Sequence, residues 1–193
     1  KRSFQRAVNH EPTILWGHYQ LARIYFVEGN YARALEEANL ELEGNPENLR
    51  ALYVRGLVHA YRNELGQATD DFTRFTAWAP KEWAGYNDLA WVLSKAGQDE
   101  AARDTVLRAL QEIPDASKNP WLWNALGVAE LNLKQYPRAH AAFQNAQNLA
   151  AGLSEADWRR AYSGNHPAQA ASGLAAFRAA IDENLRRSSN AAQ

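Results

Sequence analysis

Five histidines, His10, His18, His59, His140 and His166, are the side chains of this sequence best suited to ligate a metal or shuttle a proton. No two of them stand four apart around a glutamate, the spacing that would turn both imidazoles toward one zinc ion on a helix. Asp70 and Asp71 are adjacent, so they cannot face each other on a helix and read as part of a solvated face. With no cysteine there is no thiolate nucleophile or ligand. No phosphate loop, nucleophile elbow or calcium loop occurs. The expectation is a non-enzyme with no metal and no cofactor. What remains is the chemistry of binding, carried by seven Trp and eight Tyr together with scattered Arg and Asn.

Charge narrows the partner. Twenty-one basic residues face 22 acidic ones among 193, a net charge of −1 with no run of either sign, so neither nucleic acid nor an anionic membrane surface is indicated. A mean hydropathy of −0.55 and the lack of any long apolar run give no membrane insertion by this segment. No methionine is present and Lys1 stands first, so the chain reads as lacking its native start.

The elements that must position the binding residues follow from composition and period. Val, Ile and Thr number only 16, while Ala and Leu abound, which predicts an all-helical chain. Pro12, Pro46, Pro80 and Pro114 recur at intervals of 34 residues. In the same phase stand Ala34, Ala68 and Ala102, and the small residues Ala22, Gly56 and Ala90. Three extra residues near Ser117–Asn119 shift the phase, after which Trp123, Leu126, Gly127, Tyr136, Ala139, Phe143 and Ala146 restore it. Each unit reads as two helices separated by a left-handed stop at Gly29, Asn63, Gly97 and Lys134. Small residues at the crossing let the two backbones approach, and proline ends the second helix. The predicted organisation is the end of a preceding unit over 1–12, units over 15–48, 49–82, 83–116 and 120–153, and capping helices with a tail over 154–193. At the start of that tail Leu153, Ser154, Asp157 and Trp158 suggest a capped, stapled helix. Ala170, Leu174, Phe177, Ile181 and Leu185 give the next helix its apolar stripe.

Trp, Leu, Gly, Tyr, then Ala, Phe, Ala and Pro at these offsets resemble the tetratricopeptide repeat. The resemblance covers about residues 15–153, with Arg55 in place of the usual Leu, Phe75 in place of Ala and Ala151 in place of the fourth Pro. It implies a right-handed superhelical solenoid (an α-α superhelix) of helix-turn-helix repeats. It puts His59 at a core position, where a packed or hydrogen-bonded role is favoured over a ligand role. It also implies that the first helix of each unit lines a concave groove.

On those first helices a second stripe runs beside the core stripe: Tyr19, Arg23, Phe26; Tyr53, Leu57, Ala60; Asn87, Trp91, Ser94; Asn124, Val128, Leu131. Rings give contact area at low entropic cost, and Asn can donate to and accept from an extended main chain. Tyr19, Arg23, Tyr53, Asn87, Trp91 and Asn124 are therefore assigned to the groove. Leu57, Val128 and Leu131 fit groove lining and packing between neighbouring helices equally well. The Lys and Asn of the family's carboxylate clamp are absent, since Tyr19, Arg23, Tyr53, Leu57, Asn87 and Trp91 occupy its positions. The expected partner is a protein or peptide segment of apolar or aromatic character, bound by a non-catalytic scaffold. An assembly module of a larger protein, membrane-tethered or not, is the alternative, with a second copy of the chain as partner. An enzyme whose active part precedes this segment is a third reading.

Overall fold

The computed structural model describes residues 2–11, 16–161 and 167–190, and among them the regular structure is all helical. Helices α1 (Arg2–His10), α2 (Gly17–Val27), α3 (Tyr31–Gly44), α4 (Leu49–Tyr61), α5 (Leu65–Trp78), α6 (Trp83–Lys95), α7 (Asp99–Glu112), α8 (Pro120–Asn132), α9 (Tyr136–Ala151), α10 (Glu155–Ala161) and α11 (Pro167–Asn190) follow one another as a stack of hairpins. Pro12, Tyr162 and His166 lie outside the described residues.

Local chemistry sets the hairpins. Gly29, Asn63, Gly97 and Lys134 all have positive φ, between 59° and 74°. After each of them the next amide returns to a carbonyl five residues back: Asn30 to Tyr25 (2.9 Å), Glu64 to His59 (2.9 Å), Gln98 to Leu93 (2.9 Å) and Gln135 to Glu130 (2.8 Å). This closure satisfies carbonyls that a helix end otherwise leaves bare. At the other ends Asn48 accepts from the amides of Arg50 and Ala51, both at 3.1 Å. Asn119 does the same for Trp121 (3.0 Å) and Leu122 (3.2 Å). The insertion near Ser117–Asn119 falls on a 3-10 turn, Ala116–Lys118, which ends at Asn119 and so delivers it to this cap.

The crossing glycines Gly56 and Gly127 sit against the rings of Phe72 and Phe143. A Cβ on Gly127 would lie 2.4 Å from Phe143 Cε1, and Phe143 is wholly buried, so its ring has nowhere to turn. Gly127→Ala is expected to lower stability by about 1–3 kcal/mol through overpacking. An unchanged urea midpoint would show that the hairpin can splay without cost.

Two cores result. The larger runs from Val8 on α1 to Ala142 on α9. The smaller joins Trp121, Ala146, Ala150, Trp158, Leu174, Phe177 and Ile181, tying α10 and α11 to the last hairpin. Ser154 caps α10 as expected: its Oγ accepts from the Asp157 amide (3.2 Å) and Asp157 Oδ2 accepts from the Ser154 amide (2.8 Å). Gly173, at φ 77°, breaks α11 into two segments, a kink that the apolar stripe does not announce. Phe4 is 40% exposed, whereas Phe72, at the matching phase, is 0% exposed because α4 covers it.

Two polar intrusions depart from an apolar repeat core. Glu41, buried in the first hairpin, accepts from the Tyr19 amide (3.0 Å) and Asn48 Nδ2 (2.7 Å). In the second hairpin Arg55 donates to both oxygens of Asp71 (2.8 and 2.6 Å) and to Asn39 (3.1 Å). Asp70 is exposed, but Asp71 is buried. The solvated reading of the pair is thus corrected for Asp71: one residue step turns a helix by about 100°, and the guanidinium of Arg55 supplies what burial of a carboxylate requires. His59 is hydrogen-bonded within the same cluster, Nδ1 lying 2.7 Å from Glu64 Oε2.

Candidate peptide-binding face

The first helices α2, α4, α6 and α8 present the stripe in which binding residues were expected, and the structure divides it in two. Phe26 and Leu57 are 0% exposed and Tyr19 is 4% exposed. Phe26 packs against the rings of Tyr31 (5.8 Å) and Tyr61 (5.4 Å), and Tyr19 meets Trp16 edge-on at 6.0 Å. Tyr19, assigned to the groove, and Phe26, on the same groove stripe, are therefore core residues, and Leu57 takes the packing role that its position left open. Phe26 is sealed because α4 comes close enough to lay Tyr61 over one side of its ring while Tyr31 of its own hairpin covers another.

Arg23, Tyr53, Asn87, Trp91, Asn124 and Val128 keep partial exposure. Tyr53 leans on Phe72 and Phe75, with ring centroids at 5.6 and 5.1 Å, and its hydroxyl donates to Asp88 Oδ2. Asn87 Nδ2 donates to Asp88 Oδ1 at 3.0 Å. Trp91 lies 5.9 Å from Tyr61, and Lys95 Nζ rests 5.2 Å above the Trp91 ring while donating to the Ala60 carbonyl (3.4 Å). Tyr53, Asn87 and Trp91 are thus brought together along one seam, between α4 and α6. Asn124 stands further along, and its Oδ1 accepts from Asn184 Nδ2 on α11 (3.4 Å).

Helical spacing on the first helices does not single out Asp88, Tyr61, Lys95 or Asn184. Asp88 does leave a trace in the sequence, since it is an acid inside the apolar run of α6, where Val54 and Ala125 hold the matching positions of α4 and α8. Burial drives its carboxyl up to about 6, against the opposing hydrogen bonds from Tyr53 and Asn87. Burial also pushes the Tyr61 phenol up, with Tyr31 and Asp88 adding to the effect.

The raised carboxyl has a thermodynamic sign. Between the ordinary value of 3.8 and about 6 the folded chain binds the proton that the unfolded chain has released. Stability from Asp88 is therefore fully present below about pH 4 and is lost as pH rises through about 6, by roughly 3 kcal/mol in all. Asp88→Asn should flatten that part of the stability profile and raise stability at about pH 7.5. A profile with the wild-type slope in the variant would assign the titration to another group.

Among the described residues no three His, Asp or Glu side chains converge as a metal site, and no helix is long and apolar enough to cross a membrane. The face offers flat rings, amide donors and acceptors and one buried acid. Those groups can hold a chain but have no activated nucleophile among them.

No family model matches the chain. The mouse FK506-binding protein-like protein is 31% identical over 100 residues, which is 52% of this chain and 28% of that relative. The match therefore spans under a third of the relative's length. Among solved structures, MamA superposes with a TM-score of 0.70 at 17% identity, over 78% of this chain and 86% of the other. YrrB, a TPR protein with an unusual peptide-binding site, superposes with a TM-score of 0.65 at 18% identity, over 97% and 96%. The fold is the right-handed superhelical solenoid of tetratricopeptide-repeat proteins.

Proposed function

We propose that this chain is a non-catalytic protein-interaction scaffold whose inner face binds an extended peptide segment. On this reading the units at 15–48, 49–82, 83–116 and 120–153 act as one array, closed by the helices of 154–193. The observation that carries the proposal is the partial exposure of Tyr53, Asn87, Trp91 and Asn124 on successive first helices, each ring packed against a neighbouring ring and each amide retaining hydrogen-bonding capacity. Braced aromatic side chains have little rotamer freedom left to lose when a ligand arrives. YrrB, with its peptide-binding site, supports the analogy at the level of the fold.

Trp91 and Tyr53 are the anchors, and Arg23 adds charge at one end. Trp91→Ala should weaken binding of a selected peptide by about 1–3 kcal/mol and leave helicity unchanged. Arg23→Ala should weaken it less, with a salt-dependent loss for an acidic peptide. Fluorescence anisotropy with wild type and variants measures both. Equal affinity for folded wild type and Trp91→Ala would remove the groove and favour self-assembly, which light scattering would then detect.

A further inference from the structure

Asn87 on α6 and Asn124 on α8 hold the same place on their helices, and the inner face does not stop at α8. Helix α11 runs antiparallel to α9. Beyond its kink Arg178 donates to the carbonyls of Ala150 (3.0 Å), Ala151 (3.1 Å) and Leu153 (2.8 Å). One turn on, Asp182 accepts from Gln147 (2.7 Å), and near the helix end Ser189 lies 3.1 Å from His140 Nδ1. It therefore runs parallel to α8, in the place that a further first helix would take. There Asn184 Nδ2 meets Asn124 Oδ1 at 3.4 Å.

That single bond leaves the Nδ2 of Asn124 and the Oδ1 of Asn184 without a hydrogen bond among the described residues, on two side chains that are both partly exposed. A donor and an acceptor side by side complement the C=O and N–H of a main-chain amide. We propose that Asn184 makes α11 part of the binding face, the Asn124–Asn184 pair gripping one main-chain amide of an extended segment while Asn87 Oδ1 takes an N–H further along. Neighbouring helices stand about 8–10 Å apart and an extended chain advances about 3.3 Å per residue, so roughly three residues separate successive rungs. A helical ligand has already spent its amides internally, and the recognition of main chain makes the site tolerant of sequence.

This inference rests on the groove reading, and the test separates the two. The probe is a labelled twelve-residue peptide selected from a random-sequence display library on the wild-type chain. Asn184→Ala should weaken it about tenfold at an unchanged melting temperature. Replacing the peptide's amides one at a time by esters should reveal one position that weakens binding to wild type and has no effect with Asn184→Ala. Wild-type affinity of Asn184→Ala, with Asn124→Ala and Trp91→Ala weakened, would overturn the inference and leave the groove standing. An ester scan in which every loss persists in Asn184→Ala would overturn it as well. Failure to select any peptide, or equal binding by all three variants, would overturn both.

Discussion

Trp121→Ala is expected to release the C-terminal helices from the array while the first three hairpins stay folded. Trp121 is the hub of the smaller core: it stacks on Trp83 at 5.2 Å and on Phe177 at 5.4 Å, and Trp158 lies 6.3 Å away. Truncation removes the ring that links α6, α8, α10 and α11 and leaves a cavity that the two flanking rings cannot both fill. The cost should be about 3–5 kcal/mol. A solenoid couples each element mainly to its neighbours, so the loss should concentrate at the last hairpin and the helices beyond it. Hydrogen exchange should show amides of α10 and α11 losing protection toward that of unfolded chain, with α2 to α7 little changed. Uniform loss along the chain would mean that the array unfolds as one unit, and no loss would mean that Trp158 and Phe177 hold the cap unaided.

A comparable loss is expected for Arg55→Leu, although leucine is what Leu21, Leu89 and Leu126 supply at the matching positions of the other units. The variant leaves the buried Asp71 carboxylate without the guanidinium that grips both of its oxygens. His59 Nε2, 4.0 Å away, is its remaining basic neighbour in the cluster. An uncompensated buried charge costs about 3–5 kcal/mol, whereas replacing both partners by apolar groups is often neutral or better. Arg55→Leu with Asp71→Ala should therefore recover most of the stability lost by Arg55→Leu alone, since unit four runs with Leu126 and Ala142 at these places. Additive losses, read from denaturant midpoints of the two single variants and the pair, would show that the ion pair has no energetic coupling.

Part of the candidate face is legible in the amino-acid sequence and part is not. Tyr53, Asn87, Trp91 and Asn124 lie on the stripe drawn from helical spacing and are partly exposed; the spacing fixes their shared side of the helix, because side chains three and four apart share a face whatever surrounds it. Phe26, Leu57 and Tyr19 satisfy the same spacing and are buried. The stripe names a direction around the helix axis, and the neighbouring helix decides how far that direction remains open. Asp88 shows the complement: its sequence neighbours describe an acid in an apolar run, and only the approach of Tyr53, 35 residues away, makes it a hydrogen-bonded pair.

Features written within one or two turns of chain are settled locally: the helical composition, the left-handed stops including the unusual Lys134, the Asn caps and the small crossing residues. These rest on backbone dihedrals and on i to i+3 and i+4 contacts, and the left-handed stop recurs in all four units. Packing between helices selects which of two adjacent aspartates turns inward, which aromatic residues are sealed in seams, and that Asn184 stands beside Asn124 across 60 residues of chain. Those outcomes depend on the rotation and separation of packed helices, quantities to which every side chain in an interface contributes and which no short window of sequence contains.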